Sequence, residues 1–219
     1  GYLCKMNEAT IRVRTEVPDY SDLPSQVFDW SRSVYGETTE DMPHDAPVPR
    51  GKTVRVTHYV DANLMHDVIT GKSVTGILHL LNQTPIDWYA KKQATIETAT
   101  YGSEFVAART CVEQSVDIRN TLRYLGVPVE NSSYMFGDNK AVVDSSVRPH
   151  STLHKRHTIL SFHRVRQAIA CGYIKFFHIP GHENPSDILS KHWGYTQIWD
   201  TLRPLLFWSG DTADLIDDG

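Results

Sequence analysis

Between residues 53 and 192, apolar and polar side chains recur with two different periods, and the switches between them mark out the elements. Residues 53–60 place Val54, Val56 and Val60 on one side and Arg55, Thr57 and Tyr59 on the other, which predicts a half-buried strand ending at Asp61. The run VTGILHLL at 74–81 and the segment 86–89 predict two more strands around a turn at Asn82-Gln83-Thr84-Pro85. A helical period follows over about 99–125, closed by Gly126 just past the cap. Residues 133–137 read as a short strand, 139–146 as a short helix, 153–171 as a longer helix stopped by Gly172, and 173–179 as an alternating strand. A last helix starts at 185 and reaches His192, and residues 195–208 are expected to pack as a C-terminal helix. The order β-β-β-α-β-α-α-β-α predicts an α/β fold: a mixed five-stranded sheet with helices on its faces.

Outside this region the periodicity fades. Residues 1–15 hold one strand-like run, from Thr10 to Thr15, and residues 16–52 are acidic and Pro-rich, which reads as a linker or loosely packed segment. The 53–192 region is therefore expected to be the domain, with 193–219 forming a C-terminal helix and an acidic tail. The opening Gly-Tyr-Leu-Cys-Lys has neither an initiator Met nor a signal-peptide pattern, as expected of a piece of something longer. No run of about 18 apolar residues predicts a membrane span. Three cysteines, Cys4, Cys111 and Cys171, are far apart and form no CxxC pair, which fits small apolar roles in a reducing, intracellular setting.

The net charge of −4 argues at first against a polyanionic partner, but its distribution reverses that. Residues 16–48 carry eight acids against Arg32 alone, and the tail from Asp211 adds four acids and no base. Residues 49–210 contain 18 Lys/Arg and 13 Asp/Glu, so the folded part is basic and suits nucleic acid.

Four acids carry the candidate chemistry. Taken singly, Asp61 at a strand end is a turn residue, Asp138 between strand and helix is an N-cap, and Asp187 is a first-turn Asp favoured by the helix dipole. Glu104 is harder to dismiss. Positions 104, 108, 111, 115, 118, 122 and 125 form one stripe, Glu-Ala-Cys-Ser-Ile-Leu-Leu, and the Glu stands at its head where a core residue is expected. A carboxylate turned toward a sheet is costly unless a cation meets it. Clustered carboxylates repel one another unless divalent ions neutralise them, and oxygen-only ligands select Mg²⁺ or Mn²⁺ over zinc. Two such ions, about 3.5–4 Å apart, would activate a water and stabilise the leaving oxygen of an in-line phosphodiester displacement.

The same residues carry a family resemblance. Val60-Asp-Ala-Asn63, Lys72-Ser-Val-Thr-Gly76, Trp88-Tyr-Ala-Lys-Lys-Gln93, Ser103-Glu-Phe-Val-Ala107 and Gly137-Asp-Asn-Lys-Ala141 are similar to the ribonuclease H domain of copia-type retrotransposon polyproteins. So are the stretch from His157 to Arg166 and Ser186-Asp-Ile-Leu-Ser-Lys191. The resemblance covers about 140 of the 219 residues. It implies a ribonuclease H-like fold, hydrolysis of the RNA strand of RNA–DNA hybrids, and two bound Mg²⁺ ions on Asp61, Glu104, Asp138 and Asp187, with Mn²⁺ as an alternative. Residues 1–15 then resemble the trailing end of an upstream reverse transcriptase in the same polyprotein, located in cytoplasm, virus-like particle or nucleus. The pattern departs from cellular and retroviral relatives in the segment before the last Asp, which is short here. His182, five residues ahead of Asp187, can assist proton transfer or product release, or be a plain surface residue.

Lys91, Lys92 and Gln93 close a strand and lead toward the Glu104 helix, within reach of a phosphate backbone. Lys155, Arg156, His157 and Arg164, with His163 and Arg166, give one helical region several cations and no acid; a merely solvated face normally mixes signs. Together with Asn139, beside Asp138, these are the expected nucleic-acid contacts, giving affinity rather than sequence preference. His150, His154, His157 and His163 lack Cys or acid partners in register for zinc. A proofreading-type exonuclease needs an acid-x-acid pair, which Asp61-Ala-Asn63 lacks, and an integrase-type core needs its Glu third in order. The remaining alternative is a catalytically inactive module of this fold that docks a polymerase or nucleic acid.

Overall fold

The computed structural model describes residues 10–36, 38–153, 158–192 and 201–207. In chain order, β1 is Thr10–Ile11, β2 Val56–Asp67, β3 Lys72–Leu81 and β4 Thr84–Lys92. Then come α1 at Thr100–Tyr124, β5 at Ser133–Gly137, α2 at Lys140–Val147 and α3 at Ile159–Ala170. The chain continues with β6 at Ile174–His178, a four-residue α4 at Asp187–Ser190 and β7 at Leu206–Phe207. Five strands form one mixed sheet in the order β4-β3-β2-β5-β6, with β2–β3 and β3–β4 antiparallel and β2–β5 and β5–β6 parallel.

Each connection has a local cause. The β3–β4 hairpin closes over Asn82 and Gln83, with Leu81 opposite Thr84 and Asn82 at φ 55, a conformation that Asn tolerates better than most residues. Pro85 is accommodated because β4 is an edge strand and its register slips between His79 and Leu80. Gly126, at φ 73, terminates α1. Asn139 caps α2 by accepting from the Val142 amide, and the Arg166 guanidinium binds the carbonyls of Ser145, Arg148 and Pro149 at that helix's other end.

One face of the sheet holds the main core, where Val60, Ile77, Met135 and Phe176 meet Phe105, Cys111 and Val112 of α1 and Phe162 and Val165 of α3. The other face is not open to water. Tyr59 and Phe136 stack at 5.3 Å, Tyr134 and Phe177 at 5.9 Å, and Tyr20 lies over Tyr134 and Phe136. Burial on both faces is why β2 is not the half-buried strand its alternation predicts: Val56, Thr57, His58 and Val60 are all buried.

Tyr20 belongs to the Pro-rich segment. The described residues of 16–52 form no helix or strand, in keeping with their composition, but the expected loose packing does not hold. Trp30 and Tyr35 are buried, and Glu40 forms ion pairs at 2.8 Å with both Arg119 and Arg123 of α1. The predicted C-terminal helix over 195–208 lies partly outside the described residues. Its described part, 201–207, ends in a 3₁₀ turn and then β7, which pairs antiparallel with β1.

Candidate active site

Strand register brings the first two acids together. Val60 of β2 and Gly137 of β5 are the last parallel pair, so Asp61 and Asp138 each stand one residue further along neighbouring strands. Adjacent strands are about 4.8 Å apart, so their carboxylates must meet. The strand does not end at Asp61, as its sequence predicts. It runs on to Asp67 because antiparallel pairing with β3 continues after the parallel partner stops, and Asp61 pairs with Gly76. The third acid comes from the head of α1. Glu104 is 5% exposed and accepts a 3.3 Å hydrogen bond from the Ala62 amide. The stripe below it is buried at Ala108, Cys111, Ser115 and Leu122, though Leu125 is exposed. Carboxylate oxygens of Asp61, Glu104 and Asp138 all lie within 4.8 Å of one another.

Asp187 stands beside this triangle rather than in it. It opens α4 at the first position, not the third as its sequence predicts, and its Oδ1 lies 2.6 Å from the Lys191 ammonium. The same ammonium is 3.5 Å from Asp61 Oδ2, which also accepts the Ser190 hydroxyl. Two devices hold α4 against the sheet. Asn184 donates to the Val60 carbonyl at 3.0 Å while accepting from the Ser186 amide and hydroxyl. Gly76 leaves room for the helix, since a Cβ there would sit 2.6 Å from the Ser186 carbonyl oxygen.

The electrostatics of four crowded acids follow. Burial first, and then Asp61 and Asp138, push the Glu104 carboxyl well above its usual range. Burial and Asp61 likewise raise Asp138. Burial pushes Asp187 up to about 6, against the lowering pull of Lys191. Burial would depress Lys191, but the hydrogen bond to Asp187 and the charges of Asp61, Asp187 and Asp138 raise it. A set of oxygen donors that destabilise one another's ionised forms fits a hard divalent cation. An open concavity lies over Asp61, Glu104, Asp138 and Lys191, lined also by Asn63, Thr100, Asn139 and Lys140.

The other expected contacts divide. Lys91 is exposed on the edge strand, and Lys92 is exposed but pairs with Asp67 at 2.8 Å. Gln93, one residue past β4, is buried and donates its side-chain amide to Thr75 Oγ1 of β3 and the Ser103 carbonyl of α1, which places it inside the fold rather than on the exposed edge the sequence suggests. Asn139 spends its Oδ1 on the α2 cap. Lys155, Arg156 and His157 lie outside the described residues, as does His154. Arg164 is half-buried with Gln167 as its partner, Arg166 is buried, and His163 bonds Tyr35. His182 is 81% exposed on a 3₁₀ turn, its Nε2 3.6 Å from Glu183.

Sequence reasoning gave no role to Lys191, Ser190 or Asn184, because their partners are set by how α4 docks. It also missed a buried group, His58, His79 and Cys111, whose ligand-capable atoms lie within 4.8 Å. His58 and His79 are cross-strand partners joined Nδ1 to Nδ1 at 2.7 Å, with Ser115 and Gln114 on their outer nitrogens.

A mixed sheet in this order, with two carboxylates where the parallel pairing of its central strands stops and a third at a helix head, is the ribonuclease H-like fold. Within that class, the sequence relatives are retrotransposon polyproteins. The chain is 26% identical over 133 residues to the retrovirus-related Pol polyprotein from transposon TNT 1-94 of Nicotiana tabacum, covering 61% of this chain and 10% of that protein. It is 23% identical over 148 residues to the corresponding polyprotein from transposon RE2 of Arabidopsis thaliana, covering 68% of this chain and 10% of that one. The chain therefore spans about a tenth of the curated relatives it matches. No family model matches it. Among solved structures, RNase H1 from Halobacterium salinarum NRC-1 has 14% identity and a TM-score of 0.48 over 62% of this chain and 94% of that one. LC11-RNase H1 in complex with an RNA/DNA hybrid gives 14% identity and a TM-score of 0.48 over 62% and 93%. The fold assignment rests on strand order and direction. Among the described residues no helix is long and apolar enough to cross a membrane.

Proposed function

We propose that the chain is an endoribonuclease that hydrolyses the RNA strand of RNA–DNA hybrids, acting beside a reverse transcriptase within one polyprotein. The observation that carries this reading is the convergence of the Asp61, Glu104 and Asp138 carboxylates within 4.8 Å, from three elements far apart in sequence. The donor set fits Mg²⁺, or Mn²⁺, held by these three and by Asp187. Bound divalent ions supply charge neutralisation and a more acidic water for attack on the phosphodiester. Glu104, fixed by the Ala62 amide, and Asp138, fixed at the end of β5, hold their oxygens toward the concavity where the scissile phosphate would lie. Exposed Lys140, at its margin, and exposed Lys91, on the edge strand, bind backbone phosphates without reading sequence. His182 sits on the turn whose Gly181 borders Asp138, where it can exchange protons with solvent beside the site.

The test is cleavage of end-labelled RNA–DNA hybrid by the whole chain with Mg²⁺ and with chelator. Metal-dependent cleavage of the RNA strand, lost in Asp138→Asn, is expected. A well-folded chain that binds hybrid without cutting it would leave the inactive docking module in place, and cutting of plain duplex DNA would point to integrase-type chemistry.

A further inference from the structure

Among the described residues, Lys191 is a cation that the fold places between two of the four carboxylates. Its ammonium lies 2.6 Å from Asp187 Oδ1 and 3.5 Å from Asp61 Oδ2. The reach follows from the chain: α4 is four residues long, Lys191 is four residues after Asp187, and such a pair shares a helix side. The tie is unlike that of the surface lysines, since the Lys191 side chain is only 30% exposed. By contrast, no Lys or Arg among the described residues forms an ion pair with Glu104 or Asp138. The four acids thus offer two unequal positions. One lies among Asp61, Glu104 and Asp138; the other, between Asp61 and Asp187, already faces an ammonium.

Resting on the metal-centre reading above, we propose that Lys191 is a built-in counter-ion that competes with the divalent cation for the Asp61–Asp187 oxygens. A hard divalent ion needs carboxylate oxygens at about 2.0–2.1 Å, and an ammonium held against the same oxygens would repel it at short range. One of the two must leave. Lys191 can, because its residue also lines the open concavity and its stem is long and flexible. Ion binding is then sequential. The first ion enters the ready triangle, and the second binds only as the ammonium swings out, toward the side from which a phosphate would approach. Lys191 is on this account a positioning residue that sets the affinity of the second ion.

Calorimetric titration of Mn²⁺ into the whole chain, compared with Lys191→Met and Lys191→Arg, tests the competition. The Met variant is expected to strengthen the weaker of the two binding steps at least about tenfold, equivalent to 1.4 kcal/mol, while Arg, which keeps the charge, gives no strengthening. A second readout needs no variant: acylation of Lys191 by a water-soluble active ester, followed by mass spectrometry, should rise on adding Mn²⁺ while that of exposed Lys91 stays level. Unchanged Mn²⁺ affinity in a folded Met variant, or Lys191 acylation that is level or lower with the ion, overturns the proposal and leaves the metal centre standing. A wild-type chain that takes up no divalent ion at millimolar concentration would instead sink the metal-centre reading itself.

Discussion

A single side chain, Glu104, shows how this site trades stability for chemistry. Its carboxylate is nearly buried and faces two other acids, offset by the Ala62 amide and the charge of Lys191. Glu104→Gln keeps the acceptor for the Ala62 amide and removes the repulsion. The variant should therefore unfold at higher urea than wild type in chelator, by about 1–2 kcal/mol, while losing cleavage of hybrid. A variant both less stable and inactive would show that Glu104 is tied down by contacts other than these. The buried histidines make the opposite use of charge. Gln114 Oε1 can only accept, so His79 Nε2 donates to it, His79 Nδ1 accepts from His58 Nδ1–H, and His58 Nε2 accepts from the Ser115 hydroxyl. Both rings are neutral in this chain of bonds, and burial lowers both from the usual value of 6.5. A histidine depressed in the folded state binds its proton more readily when unfolded. Its contribution is complete above pH 6.5 and is lost as pH falls below it, by up to about 1.4 kcal/mol per pH unit for each ring. The raised carboxyls of Glu104, Asp138 and Asp187 tilt the total stability the other way over pH 7 to 5. The readout is therefore the difference in urea melts between wild type and the His58→Leu, His79→Leu chain, which should move against wild type as pH falls.

Among the elements, the Pro-rich segment does most to change the picture drawn from sequence. Arg119 has no exposure, and its guanidinium is met by Glu40 at 2.8 and 3.0 Å, by the carbonyls of Glu130 and Asn131, and by Ser133. Glu40→Ala strips the only carboxylate from that buried charge and should destabilise the fold by about 3–5 kcal/mol in chemical denaturation. A loss below about 1 kcal/mol would mean that the carbonyls suffice and the segment is dispensable. This clamp was illegible in the sequence because acids in a low-periodicity stretch look alike, and nothing local marks Glu40 as the one that meets Arg119. Elements with strong period and clear stops read well: α1 with Gly126, β5, and the end of α3 at Gly172, although that helix starts at Ile159 and not at Leu153, which lacks helical backbone. Central β2 did not, since a strand covered on both faces stops alternating, and its extension past Asp61 depends on β3. For the site, Asp138 and Glu104 were legible because a strand end and a misplaced Glu are local signals, whereas Asp61 was singled out at a strand end that the structure places at Asp67. Lys191 and Asn184 were not legible, because their roles come from α4 docking over Gly76.

The charge of the whole molecule looks different once folded. The net charge of −4 is spread over a chain whose acidic segment spends Glu40 on two internal arginines, and several of the remaining acids form the site itself. Exposed lysines include Lys140 at the concavity and Lys91 and Lys92 on the edge strand. Affinity for a hybrid should then be modest, independent of sequence, and set by a few counterions released from phosphates. Binding of the Asp138→Asn chain to labelled hybrid, followed across salt concentrations, measures that number directly. Each phosphate contact adds about 0.7–0.9 to the slope of log K against log salt. Replacing Lys91 and Lys92 by Ala should lower the slope by about one to two and weaken different sequences alike. The lower end applies if Lys92 keeps its bond to Asp67, 2.8 Å away, instead of reaching a phosphate. An unchanged slope would move the nucleic-acid track off the β4 edge and onto the α3 helix that carries Arg164.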